Sequence, residues 1–371
     1  MLWRPVKNLL LCATRHNEGK TVLALGLAAA FERRGKRVGY LKPIGYGNLE
    51  IGENRIDVDA PLMKHACGLH ASLTDIAPVP LDGFPADWTT KEGRDHALEK
   101  IRLGLKKVGA NREFTIIEGT GNAAAGAAFG LSNAYLAQLT GARVIIVTSG
   151  GVGQPTDEVI LNTSYCQRAG VEVLGVVVNK VYPHEFERIN SFMKPLLESM
   201  KLKLLGAIPF EPELARPTMK NLLDEFRGRV LNPDGRLDQK LGRFVLGAAT
   251  AATTLEQLEG HVTILCPGDR EDIVLAALGA GSGPRGGCRL EGVVFAGKRA
   301  PDDRVITLLK RAKVPAIHVE LDAYSVASMM HTTTYKISED DKERRARAEE
   351  LSTKYVETTE ILEGLKSQTP P

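Results

Sequence analysis

Cysteine is scarce and unpatterned in this 371-residue sequence: Cys12, Cys67, Cys166, Cys266 and Cys288 are odd in number, widely spaced and never form a CxxC. Such a set supports neither a disulfide framework nor a zinc cluster, and the five read as reduced thiols. Histidine and cysteine nowhere take up metal-ligand spacing and no GxSxG turn occurs, which removes zinc chemistry and a serine-hydrolase triad from consideration. No apolar run approaches the ~20 residues needed to cross a bilayer. The N-terminal stretch MLWRPVKNLLLCATRH runs into a glycine-containing turn without the cleavage site of a signal peptide. A cytoplasmic protein without a membrane partner is expected. Charge of one sign is also missing: 48 basic against 45 acidic residues leave a formal net charge of +3. That balance lacks the broad basic surface duplex DNA requires, so nucleic acid is not an expected partner.

What is present suits a soluble two-domain chain, with 43% hydrophobic residues, 25% charged residues and 37 glycines. The first half alternates short β-branched runs with amphipathic stretches, the rhythm of repeated βαβ units and a mainly parallel, doubly wound sheet. Strands are predicted over Val6–Ala13, Val38–Lys42, Phe114–Glu118, Val144–Thr148, Val173–Val178 and Leu204–Ile208. Helices are predicted over Lys20–Arg34, Lys91–Val108, Asn133–Leu139, Thr156–Arg168 and Glu185–Met200. Pro209 and the two prolines of FEPELARP that follows it mark a link. The expected domains are therefore residues 1–213, a second smaller α/β domain over 214–335, and a charged helical tail over 336–371 that reads as a solvated helix or helix pair.

The sharpest signal is LLLCATRHNEGKTVLALGLAAAF, an apolar strand that leaves through Gly19-Lys20-Thr21 into an Ala- and Leu-rich helix. A phosphate needs clustered backbone N–H donors, a helix N-terminus and a mobile cation, which Gly19, the helix start and Lys20 supply. Thr21 can ligate Mg²⁺ through its hydroxyl. The first glycine of GxxxxGK[ST] is replaced by Thr14, and Arg15 is a second phosphate candidate, whereas His16 reads as a solvent-facing loop residue. Lys42 ends the second strand, at the sheet edge where ligands of open α/β folds sit. Asp57 and Asp59 precede a helix and suit Mg²⁺ or a water of its shell, although either can serve only as a cap. Glu118 is delivered by the third strand to a glycine-containing loop, again suited to a metal. Asn179 follows the GVVVN strand, where its amide can meet a base edge or simply form a turn. In the second domain Gly268-Asp269 reads as a helix cap.

Taken in order, ATRHNEGKT, LKPIG, DVDA, EGTGN, GVVVNKV and LLGAIPF resemble the dethiobiotin synthetase-like P-loop proteins, over about residues 6–210. Residues from about 215 to 330, with RPTMKNLLDEF and TILCPGDREDIVLAAL, resemble the DRTGG domain that follows such a P-loop domain in long phosphotransacetylases. The resemblance implies ATP and Mg²⁺ as ligands. It gives Lys20 and Lys42 catalytic roles toward phosphate or substrate, Lys20 and Asn179 nucleotide contacts, and Thr21, Asp57 or Asp59, and Glu118 the metal; Thr14, Arg15, Gly19 and Thr21 complete the expected nucleotide contacts from the reading of the loop itself. It also implies a homodimer. Ala13 stands where the family has the glycine heading its phosphate loop, and the synthetase's substrate loop is not recognisable in YGNLEIGEN. Only a charged tail of about forty residues follows the DRTGG-like segment, too short for an acyl-transfer domain. The first expectation is thus an ATP-dependent sensor or regulator without acetyl-transfer activity. A ligase that phosphorylates a small carboxylate or carbamate, and a scaffold with a decayed nucleotide site, are the alternatives.

Overall fold

A computed structural model describes residues 6–46, 49–81, 89–281, 288–333 and 335–367. The chain divides into two compact bodies, one formed by Met1–Leu214 with Lys336–Pro371 and the other by Ala215–Tyr335.

The first body is built on six strands: β1 (Lys7–Ala13), β2 (Val38–Leu41), β3 (Phe114–Glu118), β4 (Arg143–Ser149), β5 (Val173–Val181) and β6 (Leu204–Pro209). They lie in the order β6-β5-β4-β1-β3-β2, and every neighbouring pair is parallel. Six of the seven β1 residues are buried. Such a continuous apolar run marks a strand covered on both faces, because a parallel sheet carries helices on each side. The strand order reverses about β1, so the C-terminal ends of β1, β3 and β4 open onto a crevice. The principal helices here are α1 (Lys20–Glu32), α2 (Asp59–Ala66), α3 (Lys91–Val108), α4 (Asn133–Thr140) and α5 (Gln154–Arg168). The helix predicted over Glu185–Met200 is interrupted: a 3₁₀ turn at Pro183–Glu185 leads into a short α segment, a π turn at Ile189–Met193 and a last α turn from Lys194 to Ser199. A short polar hairpin, Leu49–Ile51 with Asn54–Ile56, went unpredicted; its two-residue turn places Gly52 at φ 61°.

The second body holds a smaller sheet of β7 (Arg229–Val230), β8 (Arg243–Leu246), β9 (Gly260–Pro267), β10 (Cys288–Ala296) and β11 (Ala316–Val319). Its order is β7-β11-β10-β9-β8, with only β7 antiparallel. The helices α6 (Met219–Phe226), α7 (Glu271–Gly281), α8 (Asp303–Arg311) and α9 (Ala323–Thr332) accompany it. All five cysteines are buried free thiols, and burial pushes Cys67 and Cys266 up to about 12.

The expectation of a solvated tail is corrected. The segment forms a helix pair, α10 (Lys342–Tyr355) and α11 (Thr358–Lys366), that packs into the first body through Ala348, Leu351, Ile361, Leu362 and Leu365; residues 368–371 lie outside the described residues. Charge density had masked an apolar stripe. The reason for the docking is visible in α1, whose Leu23, Ala24, Leu25, Leu27, Ala28, Ala30 and Phe31 are all buried. A helix apolar all round must be covered on both sides. The sheet covers one side and α10 the other, approaching so closely that a side chain at Gly26 would overlap Ser352, whose hydroxyl donates to the Val22 carbonyl at 3.2 Å. We therefore expect Gly26→Leu to lower stability by about 1–3 kcal/mol, the usual cost of overpacking. A denaturant melt with an unchanged midpoint would show that α10 does not dock there.

Candidate functional site

The site is assembled where β1, β2 and β3 end. After β1, the backbone passes through Asn17 at φ 62° and reaches Gly19 at φ 91°, both left-handed. Gly19 is required twice over. Its positive φ disfavours a side chain, and a Cβ there would collide with the Asn179 amide. Gly19 is also the N-cap of α1 and supplies no side-chain cap, so the first-turn N–H groups of α1 receive none from it. This is a helix terminus suited to an anion. Lys20, in the first turn, is buried. Burial, joined by the charge of Lys42, lowers its pKa, while Glu118 opposes that shift. No hydrogen bond to its ammonium occurs among the described residues.

The end of β5 holds this loop in shape. Asn179 Nδ2 donates to the Glu18 carbonyl at 2.8 Å, and Lys180 Nζ donates to the Asn17 carbonyl at 2.6 Å. Asn179 thus spends a donor on the loop backbone. Thr14 is buried, its hydroxyl 3.1 Å from that of Thr148 and its N–H donating to the Val147 carbonyl, so it extends the β1–β4 pairing. Arg15 turns outward and makes a forked ion pair with Glu158 of α5, Nε lying 2.8 Å from both carboxylate oxygens.

Next to the loop stands a closed network of charges. Lys42 is 7% exposed and lies against three carboxylates: Asp59, Glu118 at 3.1 Å and Asp57 at 3.5 Å. Burial alone would pull its pKa down, but the carboxylates outweigh burial and hold it well above the ordinary lysine range. Glu118 also accepts from Thr21 Oγ1 at 2.9 Å and from the Tyr40 hydroxyl at 2.9 Å. Burial, then the neighbouring carboxylates, raises Tyr40 so that it remains a neutral donor. The side chain of Asp57 accepts from the Asp59 N–H at 2.9 Å at the start of α2, so a local turn role coexists with its place in the network. Burial raises Asp57, whereas Asp59 is pushed below the usual carboxylate range because its two lysine partners overcome the burial penalty. The second of those lysines is Lys336, at 2.9 Å from Asp59 and 3.2 Å from Asp57.

The structure thus brings Thr21, Lys42, Asp57, Asp59 and Glu118 together, with Lys20 in electrostatic range of the cluster, whereas Arg15 and Asn179 are engaged with protein partners. Three residues had been missed. Tyr40 was readable, since residues two apart on a strand share a face and Lys42 lies two further on. Glu158 and Lys336 carried no local signal. Gly47 and Asn48, within the loop that resembled no known substrate loop, lie outside the described residues.

Among the described residues no group of three or more His, Cys, Asp or Glu side chains is placed to hold a metal ion alone. Mg²⁺ needs no such cage, for it commonly takes one or two carboxylates with phosphate oxygens and waters. Two buried carboxylate oxygens, Asp57 Oδ2 and Asp59 Oδ1, have no hydrogen-bond partner. That unused anionic capacity fits a hard cation. No helix among the described residues is long and apolar enough to cross a membrane.

Comparison with known proteins agrees with this architecture. An AAA domain model matches residues 7–218, and a DRTGG domain model matches residues 221–333. The chain is 28% identical over 343 residues to a phosphate acetyltransferase of Pseudomonas putida, covering 88% of this chain and 47% of that protein. It is 27% identical to the corresponding protein of Pseudomonas aeruginosa, covering 91% and 49% respectively. The chain thus spans about half the length of these curated relatives. It is also 32% identical over 175 residues to an ATP-dependent dethiobiotin synthetase of Aquifex aeolicus, covering 46% of this chain and 75% of that enzyme. A parallel sheet with the P-loop turn after its central strand, matched over more than half of the chain, places this protein in the AAA domain family, with a DRTGG domain following.

Proposed function

We propose that the first body binds ATP with Mg²⁺ at the loop between β1 and α1, and that the chain acts as a nucleotide-dependent sensor or regulator rather than as an acetyl-transfer enzyme. The observation that carries this reading is the uncapped N-terminus of α1, entered through a glycine that admits no side chain, with Lys20 beside it and unbonded. Backbone donors and a cation converge there on a place for phosphate. Thr21, Asp57, Asp59 and Glu118 belong to one bonded network around Lys42, and one or two of these carboxylates with Thr21 and the phosphate would hold a magnesium ion. The regulatory character is supported by Lys42. Held by three carboxylates, it serves as a structural counter-ion more readily than as a group that follows a transferring phosphoryl. A homodimer belongs to the same reading.

A second reading, a ligase that phosphorylates a small carboxylate or carbamate, is favoured by the identity to the dethiobiotin synthetase. Its lysines and metal would stabilise the phosphoryl group electrostatically.

Calorimetric titration of the full chain with ATP and a non-hydrolysable analogue should show binding that requires Mg²⁺. ADP release stimulated by one acid or amine of a metabolite panel would favour the ligase. Absence of binding by folded protein would reject both in favour of a scaffold.

A further inference from the structure

Lys336 is distant in sequence from everything it touches at the site, lying 279 residues from Asp57. It is the residue at which the chain re-enters the first body after the second. Its backbone is fixed on the C-terminal side. Ile337 is buried in the core of the first body, and the Lys336 carbonyl lies 3.4 Å from the guanidinium of Arg344, itself a buried residue. The backbone is anchored while the side chain remains 35% exposed, in contrast to the enclosed Lys42. Lys336 can therefore swing away from its partners without local unfolding; Lys42 cannot.

The ammonium of Lys336 sits on Asp57 Oδ1 and Asp59 Oδ2, while the other oxygen of each carboxylate is buried and unpartnered. Counting only the six side chains of the cluster, Lys20, Lys42 and Lys336 balance Asp57, Asp59 and Glu118. A divalent cation entering this set would add two positive charges beside the two aspartates, and withdrawal of one lysine would halve that surplus. The partly exposed lysine is the one able to withdraw. We infer that Lys336 is a residue of the nucleotide site that competes with Mg²⁺ for Asp57 and Asp59, and so sets the magnesium concentration at which nucleotide binds. The inference rests on reading this site as one for magnesium and nucleotide. It makes Lys336 a tethered cation that neutralises the acid pair when the metal is absent. Because apparent affinity falls with the fraction of molecules in the competent state, a contact made about nine times in ten weakens magnesium-dependent binding about tenfold.

The test is the magnesium concentration giving half-maximal ATP binding, measured by calorimetry on the full chain. Lys336→Met should lower that midpoint about tenfold, and Lys336→Arg should leave it close to the parent value. Circular dichroism confirms folding; should the methionine variant aggregate, Lys336→Gln, which removes the charge but keeps polarity, is read instead. Parent and neutral variant sharing one midpoint would overturn the competition while leaving the nucleotide site in place. Weaker binding in the neutral variant would also overturn it, by making Lys336 a ligand of phosphate. If neither protein binds ATP at any magnesium concentration, the nucleotide reading fails and takes the competition with it. Binding by the neutral variant alone would support the competition in its strongest form.

Discussion

Replacing Lys42 by methionine is expected to destabilise the protein by about 3–5 kcal/mol, the cost of leaving buried charge without its partner. Three carboxylates face this one ammonium, and Asp57, Asp59 and Glu118 are each nearly inaccessible to water. Methionine preserves much of the volume, so the loss isolates charge rather than packing. Its pH dependence follows from the sign of each shift. In the parent, Asp59 titrates below its unfolded value of about 3.9. It therefore contributes stability above that pH, which is lost as the solution is acidified through the folded pKa. Without Lys42, Asp57 and Asp59 lose a cation that opposes the upward pull of burial on each, so less of that stability remains at neutral pH. The gap between parent and variant should accordingly be large at pH 7 and narrow as pH falls below about 4. Urea melts at the two pH values measure it. A variant as stable as the parent at pH 7 would show that water, and not Lys42, solvates the acids.

Lys20→Ala should weaken ATP binding by between about tenfold and about a hundredfold, the equivalent of the 1.5–3 kcal/mol of a hydrogen bond to a charged group. The Lys20 ammonium takes part in no hydrogen bond among the described residues, and burial already lowers its pKa. An anionic phosphate would reverse that penalty. Because no protein group is left without its hydrogen-bond partner by the truncation, folding should survive, in contrast to the Lys42 variant. Comparing the two separates a lysine that serves the fold from one that serves a ligand. Equal binding by parent and Lys20→Ala protein would remove the phosphate role from Gly19-Lys20-Thr21.

Much of the first body was legible because its strands are buried on both faces and therefore appear as unbroken apolar runs. β3 occupies the predicted Phe114–Glu118, and β1 begins one residue later than predicted. Glycine-lysine-threonine was legible for a similar reason, since a loop that must take a left-handed turn and then start a helix has few residues to choose from. What stayed hidden depends on distant partners. The interrupted segment from Pro183 to Ser199 has the composition of an ordinary helix, and only the structure shows its π turn. The charged tail disguised a buried stripe, and its clue lay elsewhere: α1 is too apolar to lie on a surface. Lys336 stands in a polar stretch, and nothing nearby distinguishes it from other lysines; its meaning comes from two aspartates far upstream.

The first body is written in two parts of the chain, with the whole of the second body between them. On the ribosome, β1 and α1 emerge early, but the α10 and α11 helices that cover α1 follow only after the second body. The second body is continuous in sequence and is free to complete itself as it is made. Synthesis and completion therefore run in opposite orders: the body begun first is finished last, and its apolar helix waits for cover in between. Slowing translation anywhere between α1 and α11, the second body included, would prolong that exposed interval, whereas slowing it before α1 would not.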